Sequence, residues 1–104
     1  MIWLDLENFE LLEKIRKDSF SSNQYIFKHS TRCSISLMIK KRLELSSELV
    51  SIYLLDLLSF RNISNYIAEI FNVEHQSPQL LILKNGKCDS HFSHNSITQI
   101  TKID

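Results

Sequence analysis

The chain has 104 residues, of which 43% are hydrophobic and 23% charged, so disorder, a fibrous repeat and a coiled coil are excluded and one domain over residues 1–104 is predicted. The charges balance, with 12 Lys and Arg against 12 Asp and Glu, and they are interspersed, so nucleic acid is not an expected partner. No stretch approaches the ~18 apolar residues of a membrane span, and residues 1–5 are too short for a signal-peptide core. We therefore expect a soluble cytoplasmic protein with no membrane partner.

The first half of the chain alternates helical and extended patterns. Apolar residues at helical spacing predict an amphipathic helix and comprise Phe9, Leu11, Leu12 and Ile15. The aromatic and β-branched run Gln24–His29 predicts a buried strand. A second helix is predicted to begin near Cys33, with apolar positions at Ile35, Met38, Ile39 and Leu43. Residues 50–55 predict a second buried strand.

A third helix has the most regular pattern in the chain. Its apolar positions recur at intervals of three and four and comprise Ile63, Tyr66, Ile67, Ile70 and Phe71. Ser59 or Asn62 is expected to cap its start, and Asn72 is expected to take a left-handed conformation at its end.

The single proline and the single glycine both lie in the last third of the chain and predict a hairpin there. Pro78 opens an apolar strand over residues 80–83, Asn85-Gly86 forms the turn, and Lys87–Ser93 returns as the second strand. A short terminal helix is outlined by Ile97, Ile100 and Ile103, with Asn95 or Ser96 as its cap. Strand, crossover helix and strand followed by a hairpin predict an α/β fold whose mixed four-stranded sheet is flanked by helices.

Cys33 is the candidate reactive group, because it follows a buried strand and begins a helix. Unpaired amides and the positive end of the helix dipole favour a thiolate at such a position, and the adjacent Arg32 adds a cation. A thiolate is the nucleophile of thiol–disulfide exchange. The alternative is that Cys33 is a small buried hydrophobe, which is the commonest fate of a lone cysteine. With only Cys33 and Cys88, the chain is not a secreted disulfide framework.

Three separated motifs extend this argument: Lys28-His29-Ser30 through Cys33-Ser34-Ile35-Ser36, Val73-Glu74-His75-Gln76-Ser77-Pro78-Gln79, and Asn85-Gly86-Lys87 through Ser93-His94 and Ile97-Thr98. In this order they resemble the monothiol bacilliredoxin family, the YtxJ-like proteins of the bacillithiol system. The resemblance covers residues 24–98 and implies a thioredoxin-like fold. The usual family motif is Thr-Cys-Pro-Ile-Ser, whereas Arg32 and Ser34 flank the cysteine here. The missing proline is expected to change the helix start and the reduction potential more than the attack itself.

The resemblance also implies roles for individual residues. Ser36 stands where many thioredoxin-like proteins have a second cysteine, so Cys33 is expected to depend on an external thiol for resolution; the Ser36 hydroxyl either bonds the thiolate or is an ordinary helix serine. Pro78 is expected to be a cis-proline beside Cys33, the alternative being a trans proline at the start of a strand. With the cis bond, the Ser77 backbone is expected to face the active site and to be able to pair with an extended substrate segment. Arg32 or Lys28 is a candidate for attracting the carboxylates of the ligand.

Five other residues have competing interpretations. His29 closes the first strand and either tunes the thiol or bonds the backbone, and His75 precedes Pro78, with solvent exposure as the default. The hairpin brings His94 back to the end of the sheet that carries Cys33. His94 is expected either to contact the ligand or to have no chemical role.

The same hairpin places Cys88 more than ~15 Å from Cys33, so no disulfide between them is expected. The three-residue spacing of Cys88, His91 and His94 suggests a metal site, but strand geometry turns His91 away and favours surface polar residues, so no metal is expected.

The leading functional hypothesis follows from the resemblance. It is a monothiol oxidoreductase in which Cys33 removes bacillithiol, its thiol co-substrate, from S-bacillithiolated cytosolic client proteins, with free bacillithiol or a partner redoxin or reductase releasing the adduct. One alternative is a thioredoxin-like binding module in which Cys33 is idle. Another is a metal or iron–sulfur carrier resembling monothiol glutaredoxins, although Ser34-Ile35 replaces the Gly-Phe of that pattern.

Overall fold

A computed structural model describes residues 1–45 and 49–99. The chain begins with the short strand β1, continues through alternating helices and strands, and closes with a hairpin and a 3-10 helix. The elements are β1 Ile2–Asp5, α1 Phe9–Asp18, β2 Gln24–His29, α2 Ser34–Glu44, β3 Ser51–Asp56, α3 Arg61–Ile70, β4 Gln79–Lys84, β5 Lys87–Ser93 and the 3-10 helix His94–Gln99.

The strands form one mixed sheet of five strands in the order β1-β3-β2-β4-β5. β1 and β2 each pair with β3 in parallel, and β4 pairs antiparallel with both β2 and β5. The expected mixed α/β sheet is confirmed, but the expected number of four strands is wrong. The additional strand is β1, a short edge strand with mostly exposed side chains, so its sequence lacks the pattern of a buried strand.

The two faces of the sheet carry separate apolar cores, because successive side chains of a strand point to opposite sides. On one face Ile26 and Leu55 pack with residues of α1 and α3 such as Leu12 and Ile67. On the other face Phe27 packs with Ile39 of α2 and with Ile97 of the 3-10 helix. Along β2, His29 therefore shares the side of Phe27, and Lys28 shares the side of Ile26.

Apart from β1, the predicted helices and strands are present in the structure, and the differences lie at the ends of the elements. The N-cap position of α3 is Phe60 and carries no side-chain cap, so the expected capping by Ser59 or Asn62 is wrong. Ser59 instead donates to Asp56, and Asn62 accepts from the amide of the next residue. The left-handed conformation expected at Asn72 is confirmed by its φ of 52°.

The described part of the C-terminal segment is wound more tightly than the expected terminal helix. It is a 3-10 helix that begins at His94, and Ile97 is buried within it. The predicted cap Ser96 lies inside this helix, where its hydroxyl accepts from the Ser93 amide at 3.0 Å. Ile100 and Ile103, which were also predicted to belong to it, lie outside the described residues, as does the side chain of Asn95.

Candidate active site

Cys33 occupies the N-cap position of α2 and is partly exposed. Its backbone is extended, with φ −104° and ψ 118°, and its amide closes a turn by donating to the Ser30 carbonyl at 3.2 Å. The Cys33 carbonyl accepts the first helical hydrogen bond from Leu37 at 3.0 Å. The amides of the first turn have no partner within the helix, and the side chain of Cys33 does not cap them. The thiol therefore lies at the positive end of the α2 dipole.

The residues that flank Cys33 in the sequence are both at the surface. Arg32 is exposed in the turn before α2, and Ser34 is exposed at the first helical position. A cation and a hydroxyl are thus accessible to a ligand on either side of the thiol.

Ser36 lies in the first turn of α2, three residues after Cys33, and is completely buried. Its Oγ atom is 2.6 Å from Nδ1 of His29 and accepts from the Ser30 amide at 3.1 Å. The hydroxyl is therefore bonded to the end of β2, through two contacts that the sequence did not suggest.

His29 is buried beneath the start of α2 and stacks on Phe27, with ring centroids 5.8 Å apart. Burial lowers the pKa of His29, and the charge of Lys40 adds to this effect, whereas Asp56 and Glu44 oppose it. The imidazole is consequently held in its neutral form and anchors Ser36 rather than presenting a charge.

Pro78 lies at the same end of the sheet, immediately before the neighbouring strand β4. β2 and β4 are antiparallel, and Lys28 pairs with Gln79, so Pro78 lies beside the end of β2 from which the Cys33 turn emerges. The Ser77–Pro78 peptide bond is cis, as the resemblance implies. The Ser77 Oγ atom is buried and has no hydrogen-bond partner within residues 1–45 and 49–99.

His94 returns to this edge at the end of β5. The His94 amide donates to the Pro78 carbonyl at 3.0 Å. His94 is exposed and has a left-handed φ of 51°. The 3-10 helix that His94 begins packs against α2. The backbone of His94 thus fixes Pro78, while its imidazole remains accessible at the surface.

A contact between Lys28 and the ligand, as expected from the sequence, requires an exposed side chain. Lys28 is not exposed in the structure. It is fully buried on the α1 and α3 side of the sheet, where Nζ donates to the Ser64 carbonyl at 3.0 Å and lies 3.3 Å from Nδ1 of His75. Burial lowers the pKa of Lys28 to about 8. His75, expected mainly at the surface, is exposed as a residue but turns Nδ1 inward to Lys28 and the Ser64 hydroxyl.

Gln79 is a polar residue of this region that the sequence analysis did not single out. It is fully buried, and its Nε2 atom donates to the Glu74 carbonyl at 3.0 Å. The available signal was a polar residue at the start of an otherwise apolar strand.

Cys88 lies on β5 opposite Leu83, toward the end of the hairpin remote from the Gln79–Ser93 pair. Both cysteines are free thiols. The Cys88 side chain is partly buried and donates to the Ser90 carbonyl, and burial raises the pKa of its thiol to about 11.

Across residues 1–45 and 49–99, no group of three or more His, Cys, Asp or Glu side chains is placed to hold a metal ion. Within the same residues, no helix is long and apolar enough to cross a membrane.

Comparison with solved structures identifies the fold. A protein provisionally described as an oxidoreductase with a thioredoxin fold superposes with a TM-score of 0.86 at 24% identity, over 96% of this chain and 89% of its own. Thioredoxin from Trypanosoma brucei brucei matches with a TM-score of 0.77 at 15% identity, over 97% of this chain and 85% of its own. Thioredoxin O2 from Arabidopsis thaliana matches with a TM-score of 0.71 at 17% identity, over 94% of this chain and 87% of its own. The expected thioredoxin-like fold is confirmed.

The sequence also matches a family model, and this match agrees with the monothiol arrangement of Cys33 and Ser36. The model is that of the monothiol bacilliredoxin BrxC, and the match covers residues 4–101. The chain belongs to the monothiol bacilliredoxin BrxC family and has the thioredoxin fold of thiol redox proteins.

Proposed function

We propose that this protein is a monothiol thiol–disulfide oxidoreductase that removes bacillithiol from S-bacillithiolated client proteins through a mixed disulfide on Cys33. One observation carries the proposal: a partly exposed cysteine occupies the N-cap of α2 at the end of the sheet where Pro78 immediately precedes β4, while a buried serine occupies the position of a second cysteine. Membership of the bacilliredoxin family supplies the co-substrate. The cytoplasm, where thiols remain reduced, is the proposed compartment.

The reaction balances as two successive thiol–disulfide exchanges. The Cys33 thiolate attacks the bacillithiol sulfur of the client mixed disulfide, a new sulfur–sulfur bond forms, and the client sulfur leaves as a thiolate that takes a proton from water. The thiolate of a second bacillithiol then attacks the bacillithiol sulfur on Cys33. The products are bacillithiol disulfide and the regenerated Cys33 thiolate, and a partner redoxin or reductase can supply the second thiol instead.

The chain's own residues support an external second thiol. The Ser36 hydroxyl is buried and bonded to β2, and a hydroxyl cannot resolve a disulfide. Cys88 lies toward the other end of β5 and has a pKa of about 11, so it is both remote and protonated at neutral pH.

The exposed surface around Cys33 suits an anionic ligand attached to an extended chain. Arg32 supplies an accessible cation for carboxylates of bacillithiol. The backbone of Ser77 lies at the edge where an extended client segment can add as a strand. His94, exposed at the same edge, is the second candidate contact.

The proposal is tested by incubating the reduced protein with a bacillithiolated model protein and locating adducts by intact mass and peptide mapping. We expect bacillithiol on Cys33 together with release of the free client. Cys33→Ser is expected to abolish transfer, and Cys88→Ser, which alters the remote thiol, is the matched control that retains it. Absence of an adduct on Cys33 in the folded protein would refute the proposal and favour the binding module.

A further inference from the structure

Lys28 combines complete burial with a charge that has no ion-pair partner in the described part of the chain. Burying an ammonium group without a carboxylate costs free energy. Residues that break such a rule often serve a site, because folding alone would favour an apolar side chain there.

The hydrogen bonds of Lys28 lead to the loop that precedes the cis-proline. This Pro78 loop, residues 71–78, connects α3 to β4. Nζ of Lys28 lies 3.3 Å from Nδ1 of His75 in this loop, and because an ammonium group only donates, Nδ1 is the acceptor when Lys28 is charged. The Ser64 carbonyl, to which Nζ also donates, lies near the start of α3, the helix that precedes the loop.

A second buried side chain holds the same loop from the neighbouring strand. Gln79 is the cross-strand partner of Lys28, and its Nε2 atom donates to the Glu74 carbonyl. The loop is thus attached at two consecutive residues, Glu74 and His75, by two side chains that face each other across β2 and β4.

Lys28 also lies on β2, the strand that leads directly into the Cys33 turn. We propose that Lys28 is a positioning residue that couples the strand carrying Cys33 to the Pro78 loop, and so sets the Ser77 backbone for pairing with the client chain. This inference rests on the proposed attack by Cys33. The inference concerns how the client chain is placed, and it does not depend on which thiol is attached to that chain through the mixed disulfide.

Two chromogenic disulfides separate this role from a general effect on the fold. The first is a short peptide with one cysteine in mixed disulfide with thionitrobenzoate, and the second is Ellman's reagent, which has no peptide chain. In Lys28→Met, which keeps the apolar stem, we expect the rate constant with the peptide probe to fall about tenfold. The rate with Ellman's reagent is expected to stay unchanged, because the Cys33 turn remains intact.

His75→Ala provides the second variant, because His75 is exposed as a residue and its truncation does not open the core. The same selective loss is expected, and the double variant should lose no more than either single variant, since both remove one interaction. Lys14→Met, an exposed lysine on α1, is the matched control and should react like the wild type with both probes.

The coupling role is overturned by wild-type peptide rates in folded Lys28→Met or in His75→Ala. An equal loss with both probes, or additive losses in the double variant, overturns it as well. If Lys28→Met does not fold, the peptide rate of His75→Ala decides. Failure of the proposed function has a different signature, because Cys33→Ser would then retain exchange with both probes.

Discussion

The hydroxyl of Ser36 lies 2.6 Å from Nδ1 of His29 and joins the first turn of α2 to the end of β2. The same oxygen accepts from the Ser30 amide, so the segment between strand and helix is closed around one buried side chain. The serine of the Cys-x-x-Ser motif therefore shapes the turn that presents Cys33.

Ser36→Ala removes this oxygen and leaves a buried imidazole nitrogen and a backbone amide without their partner. We expect the free energy of unfolding to fall by about 1–3 kcal/mol, the usual cost of an unsatisfied buried group. Urea denaturation measures the loss. Ser34→Ala, exposed in the same turn, is the control and should change stability by less than about 0.5 kcal/mol. Equal effects of the two substitutions would contradict the structural role of Ser36.

Acid should destabilise the protein through two histidines whose pKa values are lowered. Burial is the main cause for both His29 and His75, and the charges of Lys28 and Arg61 add to it for His75. Because the unfolded chain takes up protons near pH 6.5 and the folded chain does so only at lower pH, the free energy of unfolding should fall as the pH decreases from about 7 to 5.

Denaturation at several pH values measures this slope. His75→Gln should reduce the slope, and His91→Gln, on the exposed part of β5, is the control that should leave it unchanged. A stability that is constant or increases toward acid in this range would disprove the assignment.

The sequence predicts most of the fold because its signals are local. The apolar spacing of α3 and the Asn85-Gly86 turn each depend on neighbouring residues, and the structure confirms both. β1 is missed because an exposed edge strand needs no buried face, and its pairing with β3 is a long-range relation.

The site is predictable only in part for the same reason. The position of Cys33 between a strand and a helix is local information, and the structure agrees with it. The bonds of Ser36 to His29 and of Lys28 to His75 are tertiary contacts that no spacing specifies. A lysine within an apolar strand has the same local appearance whether it faces solvent or the core, so the burial of Lys28 requires knowledge of how α3 covers the sheet.

The hairpin turn packs against the end of α1 through Gly86 and Phe20. The Gly86 amide donates to the Ser19 hydroxyl at 2.8 Å, its φ is +76°, and a Cβ atom there would lie 2.6 Å from the Phe20 ring. Gly86→Ala combines left-handed strain with this clash, so we expect a loss of about 1–3 kcal/mol of stability, measured by urea denaturation. Adding Phe20→Ala should recover part of the loss, and a neutral Gly86→Ala would refute the packing.

The two cysteines should differ strongly in reactivity. Cys33 is at the N-cap of α2, whereas burial raises the pKa of Cys88 to about 11. With iodoacetamide at neutral pH, peptide mapping should find label on Cys33 and almost none on Cys88 in the folded protein. Both should react in guanidinium, which is the control for access. Rapid labelling of Cys88 in the native state would contradict its burial.

Lys28 should give the protein an unusual gain of stability in alkali. Since the pKa of Lys28 is about 8 in the folded protein and the ordinary pKa of a lysine is 10.5, the folded chain releases this proton first as the pH rises. The free energy of unfolding of the wild type should therefore increase relative to Lys28→Met between about pH 8 and 10.5, by up to about 3.5 kcal/mol at about 1.4 kcal/mol per pH unit. Below pH 8, Lys28→Met is expected to be at least as stable as the wild type, because an apolar side chain replaces a buried charge. Denaturation of both proteins across this range measures the difference, and Lys14→Met, an exposed lysine paired with Asp18, should show no such relative gain. A difference between wild type and Lys28→Met that stays constant with pH would mean that the ammonium group is not buried as the structure places it.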